Sequence, residues 1–574
     1  MGEFNSTVWT RARVGRRQLI RSTGIGAVGL GAAALIGCGS SSSGGGDAGG
    51  SGGASTPATS QGAPSATSAP SVRKKGGVIK TSMVADPPGW SLFQASSATV
   101  QLGSHAYDKL TDVATGPGKS GYSVELIPQI ATAMPETPDE NTYVYKIRQG
   151  VKFQNVAPVN GRAMTAEDVK QSIDTLRGNK QWAADFGSVK EVTTPDANTV
   201  IVKTSRPDAT LMNLSSGHYG WRIHPKEMVD SKDHEKNAIG TGPFIRSEQI
   251  QGTKTTFKRN PDYWNKDLPL IDGIEFLVIS DPVGMAGAFR TKQIDILTVS
   301  VGAAQTQDLR KQVSSFANEQ QEFGNSPWIA LDTSKPPFND LRVRQAVAML
   351  YNRQAEVEAV HLGEADPVGT ALLPYPDALK PADLPDMAKL AKLNIAEAKK
   401  LLEAAGHGSG FKTPIHVTPQ YFRNSGYEDS FQRFVGDLKQ AGIEGTVQTH
   451  EYGVWIKEIY RPPYKFDGIL WGPGRYYADP DPYVKYWLHP KGIANQSRVN
   501  DPEMTALVEK QATQINQKER WATLQEIQKL EAKNTYYIWR VTPKNSVFVD
   551  KKIKDFSRHE GYDSREFWHA WIDA

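Results

Sequence analysis

The sequence predicts an α/β protein of two or three domains. Stretches with strand-like alternation and stretches with helical apolar stripes follow one another from about residue 76 to the end. A length of 574 residues exceeds one small domain, and 39% hydrophobic with 9% aromatic residues suits a folded globular chain.

The N-terminus reads as an address. Arg16 and Arg17, followed by Gln18-Leu19-Ile20 and a Gly- and Ala-rich run from Gly24 to Ile36, form a twin-arginine-like export signal over residues 1–37. Gly15 before the pair and Leu19 behind it depart from the usual signal, so general secretion is the alternative route. The run is too short and glycine-rich for a membrane span. It ends in Leu35-Ile36-Gly37-Cys38, which resembles a lipoprotein lipobox and makes Cys38, the one cysteine, the expected lipidated first residue of the mature chain. With a single cysteine, no disulfide forms within the chain. The chain has 66 basic and 62 acidic residues, of which Arg11, Arg13, Arg16, Arg17 and Arg21 and only Glu3 lie in the leader, so the remainder is neutral. The sequence pI is therefore no sign of affinity for nucleic acid or anionic lipid, and no nucleic-acid partner is expected. Residues 38–75 are almost wholly Ser, Gly, Ala, Thr and Pro up to Ser71. Such a tether spans on the order of 30 Å.

In the body, Gly76 to Lys80 reads as a strand, and Asp86-Pro87-Pro88-Gly89-Trp90 turns the chain and offers Trp90 to core or cleft. Thr142 to Ile147 and Gly150 to Phe153 read as strands, and Thr165 with Asp168 as a capping box opening a helix through Val169 and Ile173. Thr199 to Lys203 is a β-branched strand, Gly240 to Phe244 a tight corner, and Asp272 to Phe276 a turn leading into a half-buried strand. Helices are expected over 340–354, 394–405, 427–441 and 517–533, each with an apolar stripe or a cap. Two phosphate-site lookalikes fail on context. Gly24-Ile25-Gly26-Ala27-Val28-Gly29 follows no strand, and Gly118-Lys119-Ser120 has Val113 where its first glycine belongs. The 11 histidines are scattered, so neither a metal nor a cofactor is expected.

The densest functional chemistry lies between Phe466 and Trp487. A short apolar strand, Ile469 to Trp471, is stopped by Gly472-Pro473-Gly474, and the following loop carries Arg475, Tyr476, Tyr477, Asp479 and Asp481. Flat aromatic faces beside a few directed charges are what a pocket for a small polar solute requires. Each residue also has an ordinary reading, as core aromatic or as turn starter before proline.

From Gly76 onward the chain resembles the extracytoplasmic solute-binding proteins of peptide/nickel-type ABC importers. The matching stretches are Thr142 to Phe153 leading to Met164-Thr165-Ala166-Glu167-Asp168-Val169, Ile239 to Phe244, Phe338 to Ala346 with Asn352-Arg353, Ala398 to Gly406, and Asp479-Pro480-Asp481. The resemblance implies a type II periplasmic-binding-protein clamshell in its large three-domain variant. One lobe would combine 76–117, 235–327 and 535–574 with an inserted domain at 118–234, and the other would be 328–534, with crossovers near Trp328 and Trp539. Solute would bind between the lobes, and the closed form would dock on a membrane permease.

In peptide-binding relatives an aspartate just ahead of Asp-Pro-Asp takes the peptide amine. Here Tyr476 stands at that place, leaving Asp479 as a substitute, and Arg423 lies where relatives hold a peptide carboxylate. The ligand-binding candidates are therefore Trp90, Arg423, Trp471, Arg475, Tyr476, Tyr477 and Asp479. The expected protein is a lipid-anchored monomer outside the cytoplasmic membrane, in the periplasm or on its outer face, carrying an oligopeptide and without enzymatic activity. A short oligosaccharide or glycoside stacked on the aromatic wall is the alternative, and nickel or a metal chelate a weaker one. An exported hydrolase using Asp479 and Asp481, or a surface sensor, are the alternatives of another class.

Overall fold

A computed structural model describes residues 73–573 apart from 95–96, 180–181, 184, 215–221, 299–301, 324–325, 371, 374, 419–425, 475–476, 478 and 560–563. The chain separates into Met1–Pro70 and Ser71–Ala574, and all that follows concerns the second unit.

Strand pairing joins distant stretches of sequence. Val78–Met83 lies parallel to Gly273–Val278, which continues antiparallel into Lys254–Arg259 and then Phe244–Ile250. The residues between fold into their own antiparallel sheet, Glu136–Asp139, Thr142–Lys146, Thr199–Thr204 and Val189–Asp196. A third sheet brings the C-terminal strand Thr542–Asp550 between Ile296–Leu297 and Ala317–Phe323.

The largest sheet has the order Ile443–Thr449, Phe411–Val417, Ile469–Gly472, Trp328–Leu331, Tyr537–Trp539. Its first three strands are parallel, and Trp328–Leu331 runs antiparallel between Ile469–Gly472 and Tyr537–Trp539. The central strands are buried on both faces, as parallel sheets covered by helices are. Side chains alternate between two cores: Trp328, Ala330 and Leu470 enter one, Ile329, Leu331, Ile469 and Trp471 the other.

Tyr537–Trp539 is hydrogen-bonded to Trp328–Ala330, so the chain leaves this sheet only at Arg540, where the Arg540 amide donates to the Pro327 carbonyl at 2.9 Å.

Local chemistry explains most element ends. The Thr165/Asp168 capping box is present and opens Ala166–Gly178. Gly242 is fixed by close approach, because a Cβ there would lie 2.6 Å from the Tyr107 amide nitrogen. Two expectations change. Residues 150–153 make a single bridge, Lys152 to Ala163, instead of a strand. The helix expected over 340–354 stops at Leu350, because the Asn352 side chain accepts from the Ala355 amide at 3.1 Å and starts a new helix, Arg353–Ala359.

Candidate functional site

One end of the largest sheet gathers the connections. Phe411–Val417, Ile469–Gly472 and Tyr537–Trp539 point their carboxyl ends the same way, and the antiparallel Trp328–Leu331 begins there. Thr418, Pro473 and Arg540 therefore leave, and Pro327 enters, at one edge. Open α/β sheets bind ligands at the carboxyl ends of their strands, and at this edge the Arg540 amide is tied to the Pro327 carbonyl.

Tyr477 and Asp479 share one hydrogen-bond donor. The Tyr375 hydroxyl donates to the carbonyls of Tyr477 at 2.5 Å and Asp479 at 2.9 Å. The Asp479 carboxylate accepts both Arg520 terminal nitrogens, at 2.8 and 2.6 Å, and the Asp481 amide at 2.8 Å. Gln511 bridges the pair, giving its amide to Asp481 at 2.5 Å and accepting from Arg520 Nε at 3.1 Å. Burial pushes the Asp481 carboxyl up. The result is a buried polar lock at the start of the helix Asp481–Leu488, made from charges that satisfy one another.

This end of the lobe also meets the inserted domain. The Tyr486 hydroxyl donates to Asp185 at 2.6 Å, and the Ala209 amide to the Ala512 carbonyl at 2.9 Å. Burial raises Asp185 and takes the Tyr486 phenol well above its ordinary value.

The sequence candidates fall in different places. Trp471 is 0% exposed, with the Arg540 guanidinium 3.7 Å from its ring centroid and Phe434 and Phe431 at 5.2 and 5.7 Å. It is a core residue whose ring face is already covered. Trp90 is 4% exposed and belongs to the core of the first lobe, under Arg246 and bonded through Nε1 to Gln249. Asp479 is committed to Arg520, so amine capture by its carboxylate is not what this arrangement offers. Tyr477 stays half-buried, edge-on to Tyr483 and Tyr486. Arg423, Arg475, Tyr476, Cys38, Arg16 and Arg17 lie outside the described residues.

Sequence reasoning missed Tyr375, Arg520 and Arg540. The first two had no local signal, since each acts on a residue about 40 to 100 positions away. Arg540 did: a lone cation closing the apolar run Tyr536-Tyr537-Ile538-Trp539. Among the described residues no group of three or more His, Cys, Asp or Glu could hold a metal ion, and no helix is long and apolar enough to cross a membrane.

Residues 125–495 match the family model "Bacterial extracellular solute-binding proteins, family 5 Middle". The chain is 24% identical over 420 residues to di/tripeptide-binding protein 1 of Pseudomonas aeruginosa, covering 68% of this chain and 73% of that one. Among solved structures it resembles the periplasmic binding protein DppA of Helicobacter pylori in complex with the peptide STSA, at TM-score 0.70 and 22% identity, over 87% of this chain and 99% of that one. It also resembles AgaA of A. tumefaciens R10 in complex with agropinic acid, at TM-score 0.69 and 19% identity, over 87% and 99%. With the type II periplasmic-binding-protein fold in place and well over half of its length matching one family, the chain belongs to the bacterial extracellular solute-binding proteins of family 5, the solute-binding components of peptide/nickel-type ABC importers.

Proposed function

We propose that this protein is a lipid-anchored carrier of short peptides. It takes the peptide between its lobes at the carboxyl edge of the largest sheet and delivers it, closed, to a membrane permease. The observation that carries the site is the convergence of both crossovers and the 473–480 connection on one edge, beside the contact with the inserted domain. A ligand bound there touches the segments that must turn when the lobes close, so its binding energy goes directly into closure. The peptide assignment is supported by the di/tripeptide-binding relative and by the peptide-bound neighbour. Main-chain groups, common to all peptides, suit a site framed by connecting loops. Of the stacking platforms expected for an oligosaccharide, Trp90, Trp471, Tyr476 and Tyr477, the two tryptophans are buried, which takes support from that alternative. Cys38 would carry the lipid, with export through the twin-arginine or the general route, and the body would act as a monomer.

Calorimetric titration with di- to pentapeptides and, separately, with neutral oligosaccharides tests this reading. Saturable binding of peptides alone is the expected result. Binding of oligosaccharides alone would overturn it.

A further inference from the structure

Among the described residues, hydrogen bonds join residues 118–234 directly to the second lobe, outside the strands of the largest sheet. Asp185 lies on a turn whose amide donates to the Trp182 carbonyl at 2.9 Å, and Trp182 and Phe186 on either side are buried in the core built on the antiparallel sheet. Its carboxylate accepts from the Tyr486 hydroxyl at 2.6 Å, the length typical of a bond to an ionised acceptor. The Ala209 amide donates to the Ala512 carbonyl at 2.9 Å. Ala512 belongs to the last turn of the helix Pro502–Thr513, where carbonyls find no partner within the helix. An amide from the other lobe therefore completes that helix end.

Apolar side chains accompany these bonds in both directions. Ile515, just past the helix, is half-buried against the core of the antiparallel sheet. Tyr122 and Val124 reach the opposite way, into the core that holds Tyr483 and Trp487.

Both sides of the contact are held in place by their own lobe. Asp208, next to Ala209, accepts from the Ser188 hydroxyl, from the Thr210 amide at 2.9 Å and from the Thr210 hydroxyl at 2.7 Å. Tyr486 lies in Asp481–Leu488, the helix whose start is fixed by Asp479, Arg520 and Gln511. It stands about a turn and a half along that helix from Asp481, and Tyr477 meets its ring edge-on at 6.0 Å. The contact is thus coupled to the segment that borders the proposed solute edge.

We propose that the Tyr486–Asp185 and Ala209–Ala512 bonds form a latch, made in the closed protein and broken when the lobes part, which favours the closed state independently of solute. The inference rests on the proposed reading of the chain as a clamshell that closes on its solute. On opening, each group exchanges its partner for water, so the latch yields easily. While closed it raises the population of the form that binds, and the apparent affinity for solute includes that gain.

The test uses the full chain and its Tyr486→Phe and Asp185→Asn variants, without solute and with a tripeptide. They are read by small-angle X-ray scattering, by hydrogen exchange at the Ala209 amide and by calorimetry. Tyr486→Phe removes one hydroxyl and keeps the ring. Without solute it should enlarge the radius of gyration and speed exchange at Ala209 by about three- to tenfold, the factor one hydrogen bond supplies. Saturating tripeptide should return both to the values of the unsubstituted chain, with affinity weakened by a similar factor. Asp185→Asn, which keeps an acceptor without the charge, should lie between, and it decides should Tyr486→Phe not fold. A variant that melts at lower temperature with scattering and Ala209 exchange unchanged overturns the inference, because the contact then only supports the fold. A tripeptide that binds none of the three proteins overturns the peptide reading alone, since scattering and exchange of the solute-free chains still decide the latch.

Discussion

Asp479 and Arg520 form a two-point contact of 2.8 and 2.6 Å, with Arg520 1% exposed and Asp479 8% exposed. Replacing Arg520 with Met would leave Asp479 and Asp481 buried together without a cation, at a cost of about 3–5 kcal/mol. Denaturant unfolding should show that loss, and Asp479→Ala should also destabilise by more than about 1 kcal/mol. An Asp479→Ala protein of unchanged stability that no longer binds solute would instead make Asp479 a ligand contact. The chemistry of this stretch was legible in the sequence, and its use was not. Asp-Pro-Asp showed that carboxylates and a turn were present, but whether a carboxylate meets a ligand or an arginine 41 residues on is decided by packing. Trp471 carries the same lesson. Its indole is as suited to a core as to a pocket, and only the surrounding Phe431, Phe434 and Arg540 decide. Trp471→Ala should cost about 3–5 kcal/mol in an unfolding titration.

Among the elements, Tyr537–Trp539 is the one whose placement alters the account most. It joins the sheet of the second lobe and leaves the crossover to residues 540–541. A helix end, such as that of Gln517–Asn534, is visible in sequence where a strand's partner is not. Caps and stripes fared better for the same reason. Thr165, Asn394 and Asn516 act within three residues of themselves, so their helices were readable. The strand is braced by Glu531, whose carboxyl accepts from the Tyr537 amide at 3.3 Å and the Trp539 indole at 3.1 Å. Burial pushes this carboxyl up to about 7 from an ordinary value of 4.5. The folded protein thus holds a proton that the unfolded chain releases at lower pH. Its stability should fall as pH rises from about 4.5 to about 7 and be lower beyond that by on the order of 3 kcal/mol. Thermal unfolding followed across that window should show the slope, and Glu531→Gln should flatten it. A slope unchanged in Glu531→Gln would assign the effect to other groups.

For the whole molecule, two facts combine. The first lobe is discontinuous, since Val78–Met83 pairs with Gly273–Val278 and Thr542–Asp550 returns beside Ala317–Phe323. Tyr537–Trp539 pairs with Trp328–Ala330, and the Arg540 amide donates to the Pro327 carbonyl. On the proposed reading, a ligand between the lobes shifts the balance toward closure by its preference for the closed state. Residues 38–75 lack the apolar side chains to build a core. Removing residues 1–70 should therefore leave folding and solute affinity unchanged, and loss of a cooperative melt in the truncated protein would contradict this. Native mass spectrometry of the full chain, purified without denaturation and then stripped of whatever it carries, tests the central claim most directly. The account predicts released ligands whose masses differ by amino-acid residues. Ligands spaced by hexose or pentose masses would contradict it.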